Sequence, residues 1–242
     1  MRTKINRSLD SLNNIQYHKA LLAYLSEYVT EHKKSRFEEI LGQRTRYLTV
    51  VLEDLFKAHN ASAVMRTAEG LGLQDIHVVE QRNTYDYNPY VLRGAGKWLT
   101  LHKYNSSDQN MKICFDHLKM NGYQILATSP HEYASDFREI EITTKTAVVF
   151  GAEETGISDF VKDHADGFVK IPMRGFTESF NISVSAAVIL EDFNHQIRKG
   201  SNIGLTPEEK FSLKLEWYQK MVPNVDIHIT AFNKTYNPKN NS

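Results

Sequence analysis

The stretch YLTVVLEDLFKAHNASAVMRTAEGLGLQDIHVVE, residues 47–80, decides the fold. It opens on YLTVVLE, an apolar and β-branched run too short for a helix, and closes on DIHVVE, a second run of the same kind. Between them, from about residue 61 to 71, apolar residues recur at three- and four-residue steps, the spacing of a helix with one buried face. Strand, helix, strand is the unit that joins parallel neighbours, because the chain must cross back over the sheet before the next strand begins.

Downstream the pattern continues through the strand WLTLHKY (98–104), a helix near residues 108–120, and the strands YQILAT (123–128) and TAVVFG (146–151). A helix after Ser158, the strand GFVKI (167–171) and a helix from about 183 to 198 follow. The alternation predicts an α/β fold, a mostly parallel sheet with helices on both faces. Upstream, Leu9, Leu12, Ile15, Leu22, Leu25 and Val29 predict one or two amphipathic helices in the first 34 residues. Near the other end, TPEEKFSLKLEWYQK (206–220) has Thr206 as N-cap and Pro207 at the first helical position, which predicts a separate helix. The polar tail NKTYNPKNNS (233–242) is expected to fray. The organisation read this way is an N-terminal helical extension (1–43), a central α/β domain (44–199), and a C-terminal helix and tail (200–242).

Composition narrows the function classes. The 242 residues contain no uninterrupted apolar stretch long enough to span a bilayer, and the basic N-terminus lacks the apolar core of a secretion signal. The expectation is a cytoplasmic protein with no membrane partner. The single cysteine, Cys114, excludes an internal disulfide, and neither CxxC nor HExxH occurs among the 10 histidines, so no metal site is expected. The net charge of zero hides a gradient: residues 1–46 carry 9 Lys/Arg and 5 Asp/Glu, residues 47–194 carry 13 and 20, and residues 195–242 carry 7 and 4. Basic ends around an acidic middle suit a phosphate backbone held by the ends, and equally suit ordinary solvated helix surfaces.

Two glycine-rich stretches fail as nucleotide fingerprints. Gly151 to Gly156 has phosphate-loop spacing, but Ile157 and Ser158 stand where Lys-Ser/Thr is required. Gly94-Ala95-Gly96-Lys97 lacks the upstream glycine, and no GxGxxG follows the first strand. The ligand of this sheet must be held another way. Three other segments end strands and open helices. HNASAVMRTAEGLG (59–72) carries Asn60 and Arg66, which could also be a helix cap and a surface charge. VVFGAEETGIS (148–158) carries Glu153 between two glycines, and could be a generic turn. KIPMRGFTESFNISVSAAVIL (170–190) carries Arg174, Ser179 and Asn181 before a long apolar helix, and the last two could be caps alone.

Taken in order, these three segments resemble the three motifs of the SPOUT methyltransferase superfamily, in its TrmH-type branch of tRNA/rRNA ribose 2'-O-methyltransferases. The resemblance runs from about residue 48 to 198 and includes GAGKWLTLHKY and ILATSP between the motifs. It implies a C-terminal deep trefoil knot, against the rule that chains do not thread loops, and a homodimer whose active sites each take residues from both chains. It implies S-adenosylmethionine as methyl donor, contacted around Thr128, Gly151, Ile171 and Phe180, with no protein-bound metal. Arg66 would stand beside the attacking ribose hydroxyl. A guanidinium is a poor proton acceptor, so stabilisation of the developing alkoxide is the physically easier role. Asn60 and Ser179 would orient Arg66 or the ribose, Glu153 would fix the loop or Arg66, and Asn181 would position the third motif. The implied RNA contacts are Arg44, Arg46 and Arg174, with Lys33, Lys34 and Arg36 leading into the core. The favoured substrate is guanosine 18 of the tRNA D-loop, ahead of a ribosomal RNA ribose. A catalytically inert protein that binds RNA and donor is the reading from another class, and no DNA partner is expected.

Overall fold

The computed structural model describes residues 2–84, 88–131, 133–200 and 203–236, with side chains described from residue 14 onward. Leu9 and Leu12, and the tail beyond residue 236, lie outside that description. In chain order the elements are α1 (Arg2–Ser26), α2 (Glu31–Gln43), β1 (Leu48–Glu53), α3 (Ala58–Gly70), β2 (Asp75–Val79), α4 (Pro89–Leu92), β3 (Thr100–Tyr104), α5 (Asn110–Met120) and β4 (Gln124–Thr128). There follow β5 (Ser135–Asp136), β6 (Thr146–Phe150), α6 (Asp159–His164), β7 (Gly167–Lys170), α7 (Ile182–Ile197), α8 (Pro207–Met221) and α9 (Val225–Thr235). The chain divides into two compact units, residues 43–204 and a helical unit made of residues 1–42 with 205–242. The segments 1–43 and 200–242, separate in sequence, therefore contribute to one body.

The α/β unit is a sheet of order β3-β2-β1-β6-β4-β7-β5, with every pairing among the described residues parallel. Strands β1, β2 and β6 are buried along their whole length, which is why they read as apolar-rich runs, with Glu53, Asp75 and His77 as buried exceptions. Edge strand β3 instead alternates half-buried and exposed residues. Alternate residues of β1 feed opposite cores. Leu48, Val50 and Leu52 pack with Val64, Met65 and Ala68 of α3 and with Ile189, Leu190 and Phe193 of α7. Val51 faces the other way, with Met111, Phe115 and Leu118 of α5 and Val161 of α6. Helices thus cover both faces, as the sequence pattern predicted. The strand order also has a chain reversal: β1, β2 and β3 are laid outward in one direction, and β4 starts afresh on the far side, with β6 inserted between β1 and β4. Such a switch leaves a crevice at the carboxyl ends of the strands.

In the helical unit, Phe37 of α2 packs edge-on against Trp217 of α8, with ring centroids 5.6 Å apart. Phe232 of α9 meets Tyr17 and Tyr24 of α1. Thr206 caps α8 in a reciprocal capping box with Glu209, as its sequence announced. Two expectations fail. Ile15 is exposed, and Leu21, one position before the predicted Leu22, is among the buried residues. Residues 233–235, read as the start of a fraying tail, are the last turn of α9, anchored by Phe232 and by a hydrogen bond from Tyr17 Oη to Asn233.

Candidate active site

Because β1, β6, β4 and β7 are parallel neighbours, their carboxyl ends fall on one edge of the sheet, and the segments that leave them surround a cavity of about 620 Å³. Phe150, Val169 and Ile189, all buried, line its interior. Lys57, Asn60, Glu153, Ser179 and Asn181 supply polar groups. The lining is mostly polar, with an apolar floor, and such a concave site with converging polar groups can fix a polar small molecule in one orientation.

Glu153 joins the segments around that cavity. Its carboxylate accepts from the backbone N–H of Phe56 (3.1 Å) and Lys57 (3.3 Å) and from Asn60 Nδ2 (2.8 Å). Asn60 in turn accepts at Oδ1 from Asn181 Nδ2 (3.2 Å), and Asn181 Oδ1 accepts from the backbone N–H (2.9 Å) and hydroxyl (2.6 Å) of Ser183. Residues 93 and 121 positions away from Asn60 are therefore tied to it in one row. Partial burial alone would raise the Glu153 carboxyl, but the Asn60 amide and the backbone N–H groups outweigh it and hold the group below the usual carboxylate range. Glu153 stays ionised through the neutral range. Asn60 is a buried donor inside the first turn of α3, whose N-cap is Lys57, so it is no cap; Asn181 does cap α7.

The turn after β6 is tight. Gly156 N–H donates to the Ala152 carbonyl at 2.8 Å, and a Cβ on Gly151 would sit 2.3 Å from the Gly156 carbonyl carbon, a backbone atom that cannot step aside. Gly156 has φ +68°, where glycine is favoured. The glycine spacing that mimics a phosphate loop is thus a requirement of chain packing. A second carboxylate holds the far end of the same turn: Glu53, buried at the end of β1, accepts from Ser158 N–H at 3.1 Å. The loops after β1 and β6 therefore exchange carboxylates, Glu153 reaching one way and Glu53 the other.

Of the residues singled out from sequence, Asn60, Glu153, Ser179, Asn181, Thr128, Gly151, Ile171 and Phe180 all line the cavity. Arg66 and Arg174 do not. Arg66 of α3 is exposed, with Nη1 3.5 Å from the Val91 carbonyl, and it lies outside the cavity that the Asn60 row lines. Arg174 is exposed in the loop before α7 and makes no ion pair among the described residues. Arg44 requires a correction. Its side chain is 1% exposed, paired with Glu69 at 2.5 Å and hydrogen-bonded to the Leu73 carbonyl at 2.9 Å, so it braces the entry to β1 and offers no surface to RNA. Arg46 is half-buried against Asp75 at 2.9 Å. Lys34 and Arg36 pair with Glu31 and Glu39 on their own helix. Sequence reading missed Lys57, Ser129, His131 and Lys170, which also line the cavity. The SP dipeptide after β4 marked that turn, but nothing in it distinguished a ligand-facing loop from any other.

A second polar cluster sits where α5 covers β2 and β3. His77 Nδ1 lies 3.0 Å from Tyr104 Oη, and its ring stacks on His102 at 4.6 Å. His102 reaches Asp75, which also pairs with Arg46. Burial, followed by the neighbouring His102, pushes His77 down to about 3, and burial pushes the Cys114 thiol up to about 12. No group of three or more His, Cys, Asp or Glu among the described residues is arranged to hold a metal ion, and no described helix is long and apolar enough to cross a membrane.

Comparison with known proteins places this architecture. The chain is 44% identical over 204 residues to a tRNA (guanosine(18)-2'-O)-methyltransferase of Borreliella burgdorferi, covering 84% of this chain and 92% of the relative. It is 37% identical to the Thermus thermophilus protein of the same name, covering 79% and 98% of the two chains. Among solved structures, the TrmH/SpoU tRNA modifying enzyme of A. aeolicus superposes with a TM-score of 0.71 at 28% identity, over 79% of this chain and 98% of the other. The model of the SpoU rRNA Methylase family matches residues 47–191, which span β1 through α7 and include the whole Glu153–Asn60–Asn181 row, so this chain belongs to the SpoU rRNA methylase family.

Proposed function

We propose that this chain is an S-adenosylmethionine-dependent RNA ribose 2'-O-methyltransferase acting on guanosine 18 in the D-loop of tRNA. The observation that carries the reading is the hydrogen-bonded row of Glu153, Asn60 and Asn181, drawn from three distant segments and set on one cavity. The relatives at 44% and 37% identity bear that activity in their names over nearly their whole length.

The donor is a nucleoside with an amino-acid arm, and the cavity fits it: about 620 Å³, with apolar surface from Phe150, Val169 and Ile171 for a base and polar groups for the arm. When bound, it supplies an electrophilic methyl group on a sulfonium. The chain's own part is positioning. The Glu153–Asn60–Asn181 row fixes the loops so that Thr128, Gly151, Ile171 and Phe180 keep their places around the donor. The ribose 2'-oxygen would take that methyl as the sulfur–methyl bond breaks, leaving S-adenosylhomocysteine, and would lose its proton to water or an RNA phosphate, with Arg66 offsetting the negative charge that builds on that oxygen. Arg66 lies outside the cavity of its own chain, which supports a homodimer in which it serves the partner's cavity. A deep trefoil knot in the C-terminal part of the sheet is compatible with a strand order in which β6 enters between β1 and β4. Arg174, exposed beside Ser179, is suited to a phosphate, and Ser179 to the ribose. The place of action is the cytoplasm, with tRNA.

The test is methyl transfer from labelled donor to unmodified tRNA and, in parallel, ribosomal RNA, with the product mapped by resistance of the 2'-O-methylated linkage to alkali. One resistant site at guanosine 18 is expected. Label in ribosomal RNA alone overturns the substrate, and donor binding without transfer to either overturns the enzyme.

A further inference from the structure

The short helix α4 and the residues that end it take no part in the cavity, yet they are built with care. Asn88 caps α4, its Oδ1 accepting from Tyr90 N–H (3.0 Å) and Val91 N–H (3.4 Å), and its own N–H donates to Ser62 Oγ of α3 at 2.7 Å. Leu92 is buried in the core, where its Cδ2 would lie 2.8 Å from a Cβ on Gly96. On this rigid base the Tyr90 ring is 88% exposed. A bare aromatic ring of that size ordinarily turns inward, so its exposure asks for a reason.

Arg93 supplies a second anomaly. It ends α4 in the left-handed region at φ +45°, followed by Gly94 at φ +80°. Glycine adopts such a backbone freely, whereas a side chain there is strained by about 1–2 kcal/mol. Arg93 is exposed and forms no ion pair among the described residues. Arg66 Nη1 meets the Val91 carbonyl of this same helix at 3.5 Å, so two guanidinium groups and one aromatic ring share a small surface.

Resting on the proposed RNA methylation, we infer that the α4 turn is a docking surface for single-stranded RNA next to the methylated nucleotide, with Tyr90 stacking on an unpaired base and Arg93 meeting a phosphate. An unpaired base has a free π-face that any aromatic ring can accept, and a phosphate pairs with a guanidinium through two hydrogen bonds. Cations with no carboxylate partner among the described residues suit a polyanion, and the contact with Arg66 puts the surface beside the attacking ribose of that reading. A strained arginine where glycine would rest sets a guanidinium, at a cost in backbone energy, where that phosphate would lie.

The experiment measures tRNA binding across a salt series, tRNA KM, donor KM and melting temperature for the full-length wild type and for Tyr90→Ala, Tyr90→Phe and Arg93→Gly. Tyr90→Ala is expected to weaken tRNA binding roughly tenfold, and Tyr90→Phe to stay within about twofold of wild type, since the stacking face is kept. Arg93→Gly should weaken binding roughly fivefold and lower the salt slope by about 0.7–0.9, one phosphate contact, while the melting temperature holds or rises as strain is relieved. Donor KM should not move. Wild-type tRNA affinity in Tyr90→Ala and Arg93→Gly overturns the surface. So does a fall in melting temperature that accompanies the loss in Arg93→Gly, because the side chain would then be structural. A wild-type protein that neither binds nor methylates RNA overturns the methyltransferase reading itself, and the surface with it.

Discussion

Two polar clusters sit on the same parallel sheet, and they have opposite characters. The Glu153 row lies at the carboxyl ends of β1, β6, β4 and β7, lines a cavity, and keeps its carboxylate ionised because an amide and backbone N–H groups point at it. The His77 cluster lies along β2 and β3 under α5, and burial keeps His77 neutral and the Cys114 thiol protonated. The shifts of His77 and Cys114 are large, yet no residue of this second cluster lines the cavity at the carboxyl ends. A strongly perturbed ionisable group marks a site only when a ligand can reach it, and reach depends here on position along the strand.

The comparison is broken most forcefully at Arg66, which belongs to neither cluster. Arg66→Ala is expected to lower turnover by about 10²–10³-fold with donor and tRNA saturating, the usual loss for one donor aimed at a developing oxyanion. Its melting temperature should stay near wild type, since the side chain is exposed and its hydrogen bond to Val91 is long. Near wild-type turnover would confine the chemistry to the cavity.

Glu153→Ala is the next largest. It strands the Asn60 amide and two backbone N–H groups, at a cost of about 1–3 kcal/mol, and should weaken donor binding by about tenfold or more by calorimetry. Unchanged donor affinity would mean that the row does not hold the cavity in shape.

The His77 cluster answers to pH. His77 has a folded-state value of about 3 against 6.5 when free, so between those values the unfolded chain takes up a proton that the folded chain refuses. Stability is therefore complete above about pH 6.5 and falls by about 1.4 kcal/mol per pH unit as the solution is acidified below it, until about pH 3. Asp75, His102, Tyr104, His117 and Cys114 face the same space. Denaturant midpoints of wild type and His77→Gln between pH 7 and 5 should diverge in slope, and parallel curves would remove His77 from the acid response. The smallest effect is at Cys114, with its thiol fully buried and held protonated. A thiol reagent at pH 8 should leave the folded protein essentially unlabelled and react on addition of denaturant; prompt labelling without denaturant would show the cluster to be open.

Much of this was legible in residues 47–80 and the strands that follow, because fully buried parallel strands are rich in apolar residues and covering helices must show a periodic face. Elements whose identity depends on distant partners were not. α4 is defined by the Asn88 cap and by Leu92 finding a place in the core, and four residues carry no period. α9 mixes β-branched and polar residues, and is fixed by Phe232 meeting rings of α1. Arg44 read as part of a basic approach to RNA, because a charge count does not see that Glu69 waits 25 positions away. The glycines at 151 and 156 were visible, but their purpose, the near-collision of two backbone segments, was not.

The sequence by itself determined the α/β alternation, the capped α8 and the order of three polar segments, since these follow from local spacing, capping chemistry and burial of whole strands. The tertiary structure decided that Asn60, Glu153 and Asn181 form one hydrogen-bonded row, that Arg66 lies outside the cavity this row lines, and that Arg44 is a buried brace. Those outcomes depend on which strand carboxyl ends become neighbours. That is set by the strand order β3-β2-β1-β6-β4-β7-β5, and no local interaction encodes it.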